Sequence, residues 1–252
     1  MASFSVSEFN GIAPKIAPRL LGSSVAQAAD NVRLDSGRLE ALPNASASVH
    51  TVPSGTNTVY LYSGSYWKNY AAQVDIVEGP IVNDVTERVY YTGETYPKIY
   101  RNDGGPYRLG VPAPTTTPSV TVTGTADADA LEESRSYVVT FVTSWGEEGP
   151  PSAASTPVEY RDGETVTVTL PTIPTTSGLN FNSGALKRIY RTNTGSRGTS
   201  YQFVAQLPYT ATTLVDSVAN NALGEVIPSV SWMRPPDDDT AMFPTGAMQG
   251  LC

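Results

Sequence analysis

Glycine and proline interrupt this chain so often that long regular elements have little room to form. There are 21 glycines and 20 prolines among the 252 residues, and only 16% of the residues are charged. Long helices favour Ala, Leu, Glu and Lys and tolerate few glycines or prolines. The chain is instead rich in Thr, Ser, Val and Tyr, which favour short strands and turns. The sequence therefore predicts an all-β protein and excludes an all-α one.

The charge balance excludes a basic nucleic-acid-binding protein of the usual kind. The chain has 16 basic and 24 acidic side chains and a net charge of −8, whereas affinity for phosphates requires a positive surface. Most of the acidic excess lies in residues 119–230, and residues 1–118 are nearly neutral.

Residue types that carry catalysis are scarce, and we expect neither an enzyme nor a cofactor or metal. Cys252 and His50 are the single Cys and the single His, so an intrachain disulfide, a Cys-based zinc site and most triads are excluded. The adjacent pairs Glu132–Glu133 and Glu147–Glu148 do not place two carboxyls across a substrate. Asp237–Asp239 is interpreted as a solvated acidic loop rather than a calcium site, which needs six to eight oxygens.

Targeting and membrane signals are not apparent in the sequence. The start MASFSVSEFNG has neither a basic region nor an apolar core, so it does not resemble a secretory signal. The chain has no apolar run of about 18–20 residues, so we expect no membrane span. These features predict a protein made in the cytoplasm.

Two proline clusters suggest the domain organisation. VPAPTTTPSV (residues 111–120) and MRPPDDD (residues 233–239) are extended stretches outside any central strand. About a hundred residues separate them, the size of one β-sandwich. The predicted parts are an N-terminal arm with a short helix (1–29), a small antiparallel β platform (30–112), a linker (113–118), a β-sandwich (119–230) and a C-terminal segment that returns to the platform (231–252).

The platform and the sandwich are predicted from short strands between turn residues. Ser23–Val32 is predicted to form one or two helical turns before the platform. The platform is predicted to contain a hairpin that turns at residues 35–37, strands at 58–62, 66–70, 74–77 and 88–91, and the strand KIYR (98–101), which pairs across an Asn-Asp-Gly-Gly turn. Its many tyrosines are expected to serve both the core and subunit interfaces. In the sandwich, strands are predicted at 120–122, 137–143, 165–170, 186–191, 201–207 and 213–216. The sandwich core is predicted to contain five side chains: Tyr137, Val139, Phe141, Ile189 and Phe203.

The arm is the best functional candidate because it carries apolar side chains between Gly and Pro and cannot form its own core. Bound to a neighbouring subunit, those side chains would be buried; a disordered tail is the alternative. The candidate assembly residues are Phe9, Ile12, Pro14, Ile16, Pro18, Arg19, Leu20 and Leu21.

Residues 119–230 resemble a fibronectin type III module. The resemblance rests on Tyr137, Val139, Phe141 and Trp145, followed by Gly-Glu-Glu-Gly-Pro-Pro-Ser at 146–152. It implies a β-sandwich without disulfides.

Nearly the whole chain resembles tail proteins of short-tailed bacteriophages. In that group a Gly-x-x-Pro-x-x-x-Pro-Arg-Leu-Leu arm precedes an Ala-Gln-x-Ala-x-Asn segment and an Arg-Leu-x-Ser-Gly-x-Leu hairpin. The matching residues here are Gly11, Pro14, Pro18, Arg19, Leu20 and Leu21; Ala26, Gln27, Ala29 and Asn31; and Arg33, Leu34, Ser36, Gly37 and Leu39. The stretches ALKRIYRT (185–192), YQFVAQLP (201–208) and ALGEVIPSVSWMRPP (222–236) also match.

This resemblance implies a virion structural protein, the nozzle (tail-tube) component below the portal and adaptor. Such a protein would assemble in the host cytoplasm as a homo-oligomeric ring, expected to be six-fold, and contact the adaptor, the portal side and other tail proteins. Genomic DNA would pass through the ring without specific binding. The alternative is a fibronectin-type binding module, on a virion or a cell surface, that docks host glycans or another tail protein.

Overall fold

The computed structural model describes residues 8–33, 40–175, 178–195 and 198–235. The protein is all-β: 38% of the described residues are in strands and 3% are in helices, and the strands form several small antiparallel sheets. The chain divides into two compact units, Met1–Thr51 and Val52–Cys252.

The helix predicted over Ser23–Val32 does not form. The described part of the first unit instead contains one 3-10 turn, at Pro18–Leu20, where proline occupies the first turn. An isolated helix of one or two turns is unstable in water without tertiary packing. The backbone N–H of Ala26 instead donates to the carbonyl of Gly11, and the N–H of Ala13 donates to the carbonyl of Ala26.

Two hairpins form where the sequence alternates between strand-like stretches and turn residues. Val32–Arg33 (β1) pairs with Glu40–Ala41 (β2) in the first unit, and the turn between them lies outside the described residues. Thr58–Tyr62 (β3) pairs with Tyr66–Tyr70 (β4) in the second unit. The strand predictions for residues 58–62 and 66–70 are therefore confirmed.

A four-stranded antiparallel sheet follows β3–β4, with its strands in chain order. These are Asp75–Glu78 (β5), Val89–Thr92 (β6), Lys98–Arg101 (β7) and Gly104–Arg108 (β8). Tyrosines join the hairpin to this sheet: the Tyr62 and Tyr100 rings meet edge to face with centroids 5.0 Å apart, and Tyr70 lies 5.3 Å from Tyr91. Much of the tyrosine content is thus used in packing within the chain.

Residues 119–216 form two three-stranded antiparallel sheets and one short strand pair. The first sheet has the order β9–β13–β16, and its strands are Ser119–Gly124 (β9), Glu164–Thr169 (β13) and Thr213–Asp216 (β16). The second has the order β11–β14–β15, and its strands are Tyr137–Val142 (β11), Leu186–Gly195 (β14) and Gly198–Pro208 (β15). The pair consists of Glu133–Arg135 (β10) and Val158–Tyr160 (β12).

Side chains from both three-stranded sheets share one core. Tyr137, Val139 and Ile189 of the second sheet pack with Val166 and Val168 of the first, and all five are fully buried. The alternation of β13 explains its contribution, because its valines point inward while its threonines point outward.

The other two predicted core residues, Phe141 and Phe203, lie in different clusters. Phe141 is fully buried and packs with Val111, which comes from the proline-rich stretch after β8. Phe203 is only half-buried, because a β-bulge between Ile189 and Tyr190 shifts the register of β14 on β15. Phe203 therefore pairs with Tyr190 on the other face of the sheet, with ring centroids 5.8 Å apart.

The Gly-Glu-Glu-Gly-Pro-Pro-Ser stretch lies along the outer edge of β11. Ser152 Oγ accepts a hydrogen bond from the Val139 N–H at 3.1 Å, and Ser155 Oγ accepts one from the Tyr137 N–H at 3.0 Å. The N–H groups of Ser152 and Ser155 donate back to the carbonyls of the same two residues at 2.8 and 2.9 Å. The edge is therefore covered without a regular strand, which prevents pairing with another chain there.

Candidate functional site

The described part of the arm folds back on residues 24–27. The Ala13 N–H donates to the Ala26 carbonyl at 2.8 Å, and the Gln27 side-chain amide donates to the Ile16 carbonyl at 3.2 Å. The Gly-x-x-Pro and Ala-Gln-x-Ala segments, which are separate in the sequence, therefore lie side by side.

All eight predicted assembly residues are at least partly accessible to solvent. The exposed ones are Ile12, Pro14, Ile16, Pro18, Arg19 and Leu20, and the half-buried ones are Phe9 and Leu21. Ile12, Ile16 and Leu20 have exposed fractions of 41%, 43% and 71%. Transfer of branched aliphatic side chains out of water lowers the free energy. The arm therefore presents an apolar surface that a partner could cover.

In the pair Glu147–Glu148, the Glu148 carboxylate forms hydrogen bonds and an ion pair with residues of β11 and β14. Glu148 Oε1 accepts hydrogen bonds from Thr140 Oγ1 and from the Tyr190 hydroxyl, both at 2.6 Å. Its Oε2 lies 2.7 Å from Arg188 Nη1. Burial, and then the hydrogen bond to Glu148, raise the pKa of Tyr190. The carboxylate of Glu148 thus joins β11 to β14 and is engaged at both oxygens.

The second acidic pair forms ion pairs at the protein surface. Glu132 Oε2 lies 3.0 Å from Arg161 Nη2, and Glu133 Oε2 lies 3.0 Å from Arg135 Nη2. Asp237–Asp239 lies outside the described residues. Among the residues that the structure describes, no group of three or more His, Cys, Asp or Glu side chains is placed to hold a metal ion.

A buried polar network joins three strands, and sequence analysis missed it. Arg191 Nη1 on β14 lies 2.5 Å from Asp216 Oδ2 on β16, and the Tyr137 hydroxyl on β11 donates to the same oxygen at 2.7 Å. Arg191 Nη2 donates to the Val218 carbonyl at 3.0 Å and to Asn220 Oδ1 at 2.9 Å. Burial, and then the Asp216 charge, raise the pKa of Tyr137.

A sequence signal for this network was nevertheless present. Lys187, Ile189 and Arg191 are spaced two residues apart on a strand, so all three point to one face. Because Ile189 is a predicted core residue, strand alternation places the two flanking cations on the inward face as well, a consequence that the sequence analysis did not draw. Each must then find an acceptor or lose stability.

No protein-family model matches this chain, and no curated protein is significantly similar to it. Within the described ranges, no helix is long and apolar enough to cross a membrane.

Proposed function

We propose that this protein is a structural subunit of a bacteriophage tail, part of the nozzle (tail-tube) ring below the portal and adaptor. In this role it forms part of the channel through which DNA is ejected. The observation that carries the proposal is the exposure of the apolar arm residues Ile12, Ile16 and Leu20 in the single chain. The resemblance of the arm and of the segments after it to tail proteins supplies the biological context.

Docking of the arm on a neighbouring copy would drive assembly. Full burial of a large aliphatic side chain contributes about 1.5–3 kcal/mol, so burying the remaining exposed part of each of the three would contribute roughly 0.5–2 kcal/mol. In a ring every copy both donates and receives an arm, so the contact is heterologous and repeats until the ring closes. Six copies is the expected number.

The fibronectin type III-like character of residues 119–230 is part of the proposal. The order β11–β14–β15 matches the C-F-G sheet of immunoglobulin-like sandwiches, in which the later strand F is central. The other sheet differs, because β13 is central and its edge strand β16 comes last in the chain. The likeness therefore rests on the second sheet and on the shared core between the sheets.

The acidic character of the chain is compatible with passage of DNA. With a net charge of −8, a channel wall made of such subunits repels phosphates and does not retain the duplex. We therefore expect no measurable affinity of the assembled ring for double-stranded DNA at physiological salt.

The test is the native mass of the full chain by light scattering, with negative-stain images of the same fraction. We expect a closed ring for the wild type and a folded monomer for I12S/I16S/L20S. The matched control is V82S/V85S, because Val82 and Val85 are 85% and 86% exposed but lie outside the arm. This control should form the same ring as the wild type. Circular dichroism of each protein checks the fold.

Two results would count against the proposal. An unchanged ring in the arm variant, or in a chain without residues 1–21, would reject the role of the arm. A wild-type chain that stays monomeric at high concentration would reject self-assembly and favour the binding-module alternative. That alternative predicts saturable glycan binding by the monomer, which the ring proposal does not.

A further inference from the structure

Lys187 is a buried cation that has no counter-ion among the residues that the structure describes. It lies on β14 between its cross-strand neighbours Phe141 and Leu207, and its exposed fraction is 2%. Its Nζ donates one hydrogen bond, to the Ala211 carbonyl at 2.7 Å, and makes no other hydrogen bond or ion pair with the described residues. Burial lowers the pKa of this ammonium group, and no carboxylate of the described residues offsets the effect.

The side chain of Lys187 forms part of the wall of a cavity of about 270 Å³. Phe181 and Tyr209 form another part, together with the apolar residues Leu170, Ile173 and Pro174. Thr210 and Thr212 lie at its solvent-exposed side, and their hydroxyls make no hydrogen bond with the described residues. The cavity therefore combines one cationic donor and free hydroxyls with aromatic walls.

Size and chemistry define the ligand. A volume of about 270 Å³ is many times what one water molecule needs and is enough for a small organic molecule. An ammonium group with two protons left to donate, beside hydroxyl donors, matches a carboxylate. Aromatic and aliphatic walls match a flat apolar body and do not match a free inorganic anion.

We propose that the cavity beside Lys187 binds a small monocarboxylate with an apolar body. The carboxylate accepts hydrogen bonds from Lys187 Nζ and from the threonine hydroxyls, and the apolar body lies against Phe181 and Tyr209. Binding supplies the counter-ion that the fold does not, so the bound anion is favoured over its neutral amide. The site is independent of whether the chain forms a ring.

Calorimetric titration of the full chain with sodium benzoate tests this site, with benzamide as the neutral isostere. We expect saturable benzoate binding, and binding of benzamide that is weaker by at least about tenfold, since a charged hydrogen bond is lost. Lys187→Met should reduce benzoate affinity to the level of benzamide. The matched control is Lys15→Met, because Lys15 is an exposed lysine of the arm. This control should bind benzoate like the wild type.

Each contrary outcome rejects a specific part of the proposal. Equal affinity for benzoate and benzamide would reject recognition of the charge, and undiminished binding to Lys187→Met would reject Lys187 as the donor. Inorganic phosphate that displaces benzoate at equal concentration would reject the role of the apolar walls. No binding of benzoate at its highest soluble concentration would reject the site. Thermal unfolding of Lys187→Met confirms that the variant is folded before any titration is interpreted.

Discussion

Two buried cations stand four residues apart on β14, and their surroundings are opposite. Arg191 has the Asp216 carboxylate at 2.5 Å, a backbone carbonyl and an amide oxygen as acceptors. Lys187 has a single backbone carbonyl. Both side chains lie on the inward face of the same strand and are almost completely buried.

The difference shows how one core can hold charge in two ways. At Arg191, a carboxylate neutralises the buried charge and hydrogen bonds fix its position. Removing either partner would leave the other charge buried and uncompensated, which destabilises the fold. At the Lys187 end, the charge is unmatched, and burial shifts the ammonium group toward its neutral form. The Arg191–Asp216 arrangement stabilises the contact between strands. The site at Lys187 instead lacks an anion among the described residues, and a ligand can supply one.

The largest effect should come from removing the carboxylate at the matched end. Asp216→Asn leaves the Arg191 charge buried without its counter-ion, and we expect the free energy of unfolding to fall by about 3–5 kcal/mol. Equilibrium urea denaturation at neutral pH measures this loss. The double variant R191M/D216N, which removes the isolated charge as well, should recover part of it.

An exposed ion pair provides the control for that experiment. Arg101 Nη2 lies 2.6 Å from Asp103 Oδ2, but the Asp103 side chain is 48% exposed. Asp103→Asn should therefore cost less than about 1 kcal/mol. Equal losses of stability for D103N and D216N would mean that burial does not distinguish the two ion pairs.

A smaller loss should follow from removing the tyrosine that shares Asp216. Tyr137→Phe deletes the hydroxyl that donates to Asp216 Oδ2 at 2.7 Å, but it leaves the ion pair in place. A hydrogen bond to a charged group contributes about 1.5–3 kcal/mol, and urea denaturation should show a loss in this range. Tyr66→Phe is the control, because Tyr66 is 69% exposed. A neutral Y137F variant would contradict the role of this hydroxyl.

Most strands could be predicted from the sequence because their signals are local. Strands β3, β4, β7 and β16 have the predicted bounds, since turn residues and β-branched or aromatic runs define them within a few positions. The prediction of a helix over Ser23–Val32 was wrong for a non-local reason. The backbone of Ala26, inside the predicted helix, forms hydrogen bonds with residues 11 and 13. A run this short has too little intrinsic stability to resist that pairing.

The polar network could not be predicted, because its members are brought together only by the fold. Tyr137 and Asp216 are 79 residues apart, and no local pattern connects them. The inward direction of Lys187 and Arg191 follows from strand spacing, but which of them has a carboxylate depends on where β16 pairs with β13. The exposure of the arm was expected from its composition, and its path beside residues 24–27 was not.

The smallest change in stability, and the one predicted stabilisation, should come from substituting Lys187. Lys187→Met removes a buried charge while keeping the length of the side chain, and we expect the free energy of unfolding at pH 7 to rise by about 1 kcal/mol. Urea denaturation of K187M beside the exposed control K15M measures the gain. A loss of similar size would show that the bond to Ala211 outweighs the burial of the charge.

The gain from Lys187→Met should also depend on pH. Between the lowered native pKa and the ordinary value of 10.5, the unfolded wild-type chain binds a proton at Lys187 that the native chain does not. Within this pH range, the contribution of Lys187 to wild-type stability therefore rises with pH. The difference in the free energy of unfolding between K187M and the wild type should shrink as the pH approaches 10. Tyrosines whose pKa values burial raises, such as Tyr62 and Tyr70 at about 12, lower stability above pH 10 in both proteins alike. The difference between the two curves thus isolates Lys187, and a difference that stays constant from pH 6 to 10 would mean that this lysine titrates equally in the folded and unfolded chains.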